Sequence, residues 1–306
     1  MTVTDATPLE QRRPGKAASL LSALVADKFA LCSAIFLVCI ILIAILGPAL
    51  FGELATKVNM KARNVPPLSF AQGWEFVLGG DSLGRSVLAR LFVGAQNTLL
   101  IASVSTLFSF CAGGLLGLAA GYSNNTVSQL ILRVTDVIMS FPSLLLALVV
   151  LYLLGSSIAN VIIVLAITRM PVYLRTARAE TMEIKRRNFV VAAETLGSRP
   201  SRVLFRHILP LVLPTLCTIA AVQFAAVVLI ESSLSFLGLG VQLPDFTWGS
   251  MVASGRAYLG TAWWISFFPG AAILLTTLSL NMLGNWLRMV SDPQLRWRLQ
   301  RRGVKK

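Results

Sequence analysis

FALCSAIFLVCIILIAILGPALF, residues 29–51, carries no charged side chain over 23 positions. As a helix it would be about 35 Å long, enough to cross the roughly 30 Å hydrocarbon core of a bilayer. It is also longer than the roughly 7–15 residues of a signal-peptide core and follows a polar stretch, so it reads as an uncleaved first membrane span. Five further apolar runs follow, at about 98–121, 130–154, 158–174, 209–236 and 263–287, the fourth interrupted by Arg169 and Pro171. The fold class is therefore all-α, a polytopic membrane protein with six transmembrane helices. Six crossings place both termini on one side. Neither an internal repeat nor a low-complexity segment accompanies the spans.

Composition excludes the main competing classes. Of 306 residues 56% are hydrophobic and only 13% charged, about half the charge a soluble domain carries. The formal charge of +14 would suit a nucleic-acid binder, but such proteins hold their basic residues on a polar fold. Here the positions of the 27 Lys and Arg record topology instead. Nineteen fall in the N-terminal tail (Arg12, Arg13, Lys16, Lys28), in the segment from Arg175 to Arg206, and in the tail from Arg288 to Lys306. Positive residues favour the cytoplasmic side, which puts both tails and the 175–208 segment there and the loops at 52–97 and 237–262 outside. The four cysteines, Cys32, Cys39, Cys111 and Cys217, lie unevenly inside apolar runs and are expected to be buried small side chains.

The cytoplasmic segment is predicted to form two short helices, 188–196 (NFVVAAETL) and 201–208, separated by Gly197-Ser198-Arg199-Pro200. Gly197 suits a left-handed helix end, and Ser198 or Ser201 with Pro200 a new helix start. Ala192 and Ala193 would let a partner's backbone approach closely. A rigid peg for a groove on a cytoplasmic protein and a basic helix lying on lipid headgroups both fit these residues.

VAAETLGSRPSRVLFRHILP, residues 191–210, resembles the cytoplasmic loop of permease subunits of bacterial ABC importers, a Glu-Ala-Ala triplet followed by Gly and later by Leu-Pro. Ala192, Ala193, Gly197, Leu209 and Pro210 match; Val191 replaces the Glu, and His207 stands where Ile is common. LGGDSLGRSVLARLFVGAQNTLL (78–100, departing at Gly80 and Ser86), LSFLGLGVQLPDFTWGSM (234–251) and NMLGNWLRMVSDPQLR (281–296, departing at Asn285 and Ser291) are similar to the dipeptide, oligopeptide and nickel subfamily. The resemblance spans about 29–296. It implies a type I ABC importer permease fold in the bacterial inner membrane, a second homologous permease as heterodimer partner, two ATPase subunits docked on the loop, and an extracytoplasmic solute-binding protein. It divides the chain into a basic tail (1–28), a first helix and outer loop (29–96), a permease core with its coupling loop (97–288) and a second basic tail (289–306). The coupling residues so marked are Ala192, Ala193, Glu194, Gly197, Arg206, His207, Leu209 and Pro210.

Three further features concern packing and passage. Gly113, Gly117 and Gly121 form a smooth stripe for another helix, from the same chain or a second subunit. Asp136 follows Arg133 by three positions, an expected ion pair. Glu231, with Ser232 and Ser235, stands in an apolar run without a basic neighbour, either as a structural or gating hydrogen-bonding group between subunits or as a contact for substrate.

Neither a cofactor nor catalysis is expected. Gly15-Lys16 lacks the spaced glycine of a phosphate loop, so ATP hydrolysis would belong to separate subunits. The rival is a proton- or ion-coupled carrier relaying through Glu231 or Asp136, for which the cytoplasmic peg would have no use.

Overall fold

The computed structural model describes residues 23–291; the basic residues Arg12, Arg13 and Lys16 and those from Arg296 to Lys306 lie outside the described residues. Among the described residues there are helices and one isolated bridge, Gly80 with Ser86, and no strand. Helix α1 (Lys28–Thr56) starts where Asp27 caps it, its carboxylate accepting from the amides of Phe29 and Ala30. Apolar all round, α1 leaves Ile35, Val38, Ile41, Leu42 and Ile45 on the outer surface, as a helix facing lipid should. Helix α2 (Val87–Tyr122) begins at the Ser86 cap, eleven residues before the predicted start, and at 36 residues is about 54 Å long.

The predicted third span is not one helix. α3 (Asn125–Met139) and α4 (Ser143–Leu154) meet at an angle of 83°. Pro142 lacks an amide to continue the ladder and keeps Phe141 out of the helical region, which breaks the run in its middle. Each half, about 22 and 18 Å, is too short to cross by itself. Together they still cross once, because their two ends touch opposite ends of the bundle. α3 follows directly on Tyr122, while beyond α4 the hydroxyl of Ser156 donates to the carbonyl of Leu239 at 3.0 Å, just past the far end of another span.

α5 (Ile158–Lys185) is continuous through Arg169 and Pro171 and runs three turns past the predicted end. Arg175, Arg178 and Lys185 are therefore on a projecting helix, not in a loop. It leads to α6 (Asn188–Thr195), and after a turn the chain re-enters α7 (Leu209–Phe236). α8 (Trp248–Gly255) is a short outer helix, and α9 (Trp264–Ser291) returns. Ala30, Trp286 and Val290 share a small core, so the start of α1 and the end of α9 lie at the same end of the bundle.

Two larger cores hold the rest. One joins α1, α2, α4, α5, α7, α8 and α9, with Trp248, Ile101, Leu151 and Leu165 fully buried; the other, around Tyr173, Leu118, Ile208 and Leu216, sits toward α6. The glycine stripe of α2 is seated on α5. A Cβ added at Gly113 would come within 2.6 Å of the Met170 carbonyl oxygen, at Gly121 within 2.7 Å of Thr181 Cβ, and at Gly117 it would collide with the Leu174 carbonyl. Of the two partners the sequence left open, the same chain supplies this one.

Two other expectations are corrected. All four cysteines are exposed on the outer faces of their spans: being apolar, they fit a lipid-facing position as well as a core. Asp136 pairs with Arg175 at 2.6 Å, not with Arg133, because α5 crosses beside α3 and brings its guanidinium closer than the neighbour on its own helix.

Candidate functional site

The helix–turn–helix between α5 and α7 is built from backbone terms. α6 ends in a paired cap: the amide of Ser198 donates to the carbonyl of Ala193 (3.1 Å) and that of Gly197 to Glu194 (3.0 Å). This closure needs a left-handed residue between the two helices, and Gly197 takes φ +79° with open space around its Cα. The next helical turn starts at Pro200 with Arg199 as N-cap and no side-chain cap bond, so neither Ser198 nor Ser201 has the capping role expected of it.

From there the backbone widens into a π-helical turn over Val203–Ile208, where the amide of Leu209 reaches back to the carbonyl of Leu204. Pro210 has no amide to donate to the preceding turn, and the wider turn absorbs that lost bond. The result is one continuous rod from Pro200 to Phe236. Arg206 is exposed and His207 half-buried on that turn, Leu209 half-buried and Pro210 exposed.

α6 is anchored on one face only. Val190 is fully buried, and Glu194 accepts a hydrogen bond from the Tyr122 hydroxyl at 2.8 Å, tying α6 to the end of α2. The opposite face holds Phe189, Val191, Ala192, Thr195 and Leu196, and Leu196 is 86% exposed. An apolar stripe of this kind beyond the bilayer gains from burial against another protein. Tyr122, unremarked in the sequence, ties α6 to the end of α2; nothing in its local sequence distinguishes it from an ordinary interfacial tyrosine.

At the other end of the bundle Glu231 is fully buried within the chain. Its Oε1 accepts from the Ser235 hydroxyl (2.8 Å), which lies 3.3 Å from the Thr247 hydroxyl. Oε2 and the Ser232 hydroxyl are both buried without a hydrogen-bond partner among the described residues. Thr247 caps α8 in a reciprocal arrangement with Ser250. α8 is also held by Trp248, whose ring nitrogen donates to the Leu91 carbonyl (2.8 Å) and whose amide donates to the Thr98 hydroxyl (3.0 Å). Gly249 gives α8 room to lie on α7, since a Cβ there would sit 2.6 Å from Ser232 Cα. Glu231 thus has its partner, Ser235, inside the chain, beneath the start of α8.

A second polar knot joins the loops at this end of the bundle. Asp81 accepts from the amides of Leu83 (2.9 Å) and Arg85 (2.8 Å) through one oxygen and from the Arg85 guanidinium (2.7 Å) through the other, with Arg90 at 3.4 Å. Arg90 stacks over Phe246 at 4.4 Å, and Trp264 donates to the Gly80 carbonyl at 3.1 Å. These contacts fasten the 78–90 segment to the loop before α8, so two of the stretches that carry the sequence resemblance are neighbours in space.

Residues 113–297 match the family described as binding-protein-dependent transport system inner membrane component. A di/tripeptide transport system permease protein (DppC) of Pseudomonas aeruginosa is 41% identical over 232 residues, covering 75% of this chain and 77% of that protein. A probable D,D-dipeptide transport system permease protein (DdpC) of Escherichia coli is 35% identical over 262 residues, 86% of each chain, and a glutathione transport system permease protein (GsiD) of Pectobacterium atrosepticum is 36% identical over 72% of this chain and 73% of its own. Among solved structures, the MetNI methionine ABC transporter in inward-facing form has a chain that superimposes with a TM-score of 0.55 at 18% identity, over 67% of this chain and 97% of that one.

Proposed function

The chain belongs to the binding-protein-dependent transport system inner membrane component family, and from that premise we propose that it is the permease of an ATP-driven importer of short peptides or peptide-like solutes such as glutathione. The solute class follows the names of the three relatives, all of which are permeases for such compounds. Family membership makes it a multi-pass inner-membrane component that works with separate ATPase and solute-binding subunits. The observation that carries the mechanism is the exposed apolar face of α6 on a turn continuous with two spans.

An ATPase subunit that receives Phe189, Ala192 and Leu196 in a groove would move α6 as it closes on ATP. The paired cap at Gly197 and the rod from Pro200 to Phe236 would carry that movement to the outer end of α7, where Glu231, Ser232 and Ser235 hold α8. Alternation between inward- and outward-facing arrangements then follows from nucleotide below and loaded binding protein above. In this reading Glu231 gates by fixing α8 to α7, a second related permease completes the pathway, the α6 end and both chain termini are cytoplasmic, and ATP hydrolysis resides wholly on the partners. The carrier reading loses its support: Glu231 is closed in by its own chain, and Asp136 is engaged by Arg175.

The test is co-expression of the chain, tagged, with its partner subunits. Leu196→Asp should abolish co-purification of the ATPase and peptide uptake into proteoliposomes while leaving thermal stability unchanged. Undiminished ATPase binding, or uptake that survives ATP depletion and stops when the proton gradient collapses, would refute the proposal.

A further inference from the structure

Beside α6, on the side of Glu194, a cavity of about 480 Å³ opens between the end of α2, the start of α3 and the last turns of α5. Its polar walls are Ser123, Ser128, Arg178, Lys185, Arg186 and Glu194. With Ile158 taken at the opposite edge of the hydrocarbon core, Arg178, about 30 Å along α5, falls at the near edge and Lys185, about 40 Å along, among the headgroups.

The charges here are unbalanced. Three cations meet one carboxylate, and that carboxylate already accepts from the Tyr122 hydroxyl. Of the nearby acids, Asp136 pairs with Arg175 at 2.6 Å and Glu183 with Arg187 at 2.9 Å, and Glu180 on α5 does not line the cavity. Lys185 donates one bond to the Tyr122 carbonyl (2.7 Å) and lies over that ring, keeping further N–H groups to donate. Arg178 donates through Nε to the Ser128 hydroxyl (3.0 Å), which holds the guanidinium in place and leaves its two terminal nitrogens without an acceptor among the described residues. Arg186 makes no side-chain hydrogen bond or ion pair there. The docking face of α6 is separate: only Val191 belongs to both.

We infer that this cavity is a binding site for a phosphate group, supplied by an anionic phospholipid headgroup or by free phosphate. Converging basic residues between helices at headgroup depth recognise anionic headgroups, and a phosphate would receive the two free guanidinium nitrogens of Arg178 as a fork together with Lys185 and Arg186. Because α6 supplies one wall through Glu194 and Val191, an occupied site would brace α6 against α2 and α5. The inference rests on the assignment of this end of the bundle to the cytoplasmic leaflet; lipid retention requires neither ATP nor peptide, so it can be read even if the transport proposal fails.

The assembled transporter, purified with its partner subunits, would be titrated with phosphatidylglycerol in detergent and the bound lipid counted by native mass spectrometry. Arg178→Gln and Arg186→Gln should each weaken the tightest adduct about fivefold, whereas Arg133→Gln, an equal change of charge outside the cavity, should leave it unchanged. In phosphatidylcholine nanodiscs, a rise in melting temperature with inorganic phosphate over chloride at equal ionic strength, lost in Arg178→Gln, would identify free phosphate as the source. Should Arg178→Gln fail to fold, Arg186→Gln, which breaks no side-chain contact within the described residues, decides. Adduct affinity equal in all variants, or lowered equally by Arg133→Gln, with no phosphate-dependent shift, overturns the site.

Discussion

Replacing Gly117 by Ala should be among the most damaging single-methyl additions in the chain. The new Cβ would meet the Leu174 carbonyl, lie 2.6 Å from Ala177 Cβ and 3.1 Å from the Arg178 amide nitrogen. Carbon atoms settle at about 3.5–4.0 Å, so α2 and α5 would have to separate by about 1 Å. None of these neighbours is the far end of a flexible side chain, and the interface is braced on both sides by Gly113 and Gly121. Overpacking of this kind costs about 1–3 kcal/mol, which helix propensity, favouring Ala over Gly by at most about 1 kcal/mol, offsets only in part. Thermal unfolding of the purified protein in nanodiscs is the assay, with Gly52→Ala, whose Cβ would meet nothing within 4 Å, as the comparison. Gly117→Ala should lower the midpoint while Gly52→Ala leaves it unchanged or raises it. A Gly117→Ala protein as stable as Gly52→Ala would show that α2 and α5 are not packed through this stripe.

Glu231→Leu should lower stability by about 1–3 kcal/mol, because the buried Ser235 hydroxyl loses its acceptor; Glu231→Gln keeps an acceptor and should melt close to wild type, and the reverse order would exclude the anchoring role. Asp81→Asn leaves the buried Arg90 and its neighbour Arg85 without a carboxylate. A loss of about 3–5 kcal/mol, measured by denaturant titration, is expected, and Arg90→Met combined with it should restore part of that loss. Asp136→Asn breaks a pair that is about half exposed on both sides, so its effect on the melting midpoint should correspond to less than about 1 kcal/mol; a large loss would mean that the α3–α5 contact depends on it.

Features governed by local chemistry were legible in the residues. A 23-residue run without charge spans a bilayer whatever surrounds it. Gly197 ends α6 as expected because a left-handed cap depends on one residue's φ, and α7 begins and ends at the predicted positions. The break in the third span was not legible because hydropathy counts side chains and is blind to what Pro142 does to the backbone. For the cysteines, an apolar side chain gives no sign of whether lipid or protein faces it. Asp136 found Arg175 because two helices cross there, a proximity that spacing within one helix cannot report.

Sequence alone thus determined that this chain is a multi-span membrane protein, which family it resembles, and where its helix–turn–helix lies, since each depends on residue type along a short stretch. Only the tertiary structure decided which groups complete one another: Tyr122 with Glu194, Ser235 with Thr247, Asp81 with Arg90, and three cations around one cavity. The paired residues lie 9 to 72 positions apart, brought together by the packing of the helices and loops. Their strength depends on distance and burial, neither of which is written in the order of the residues.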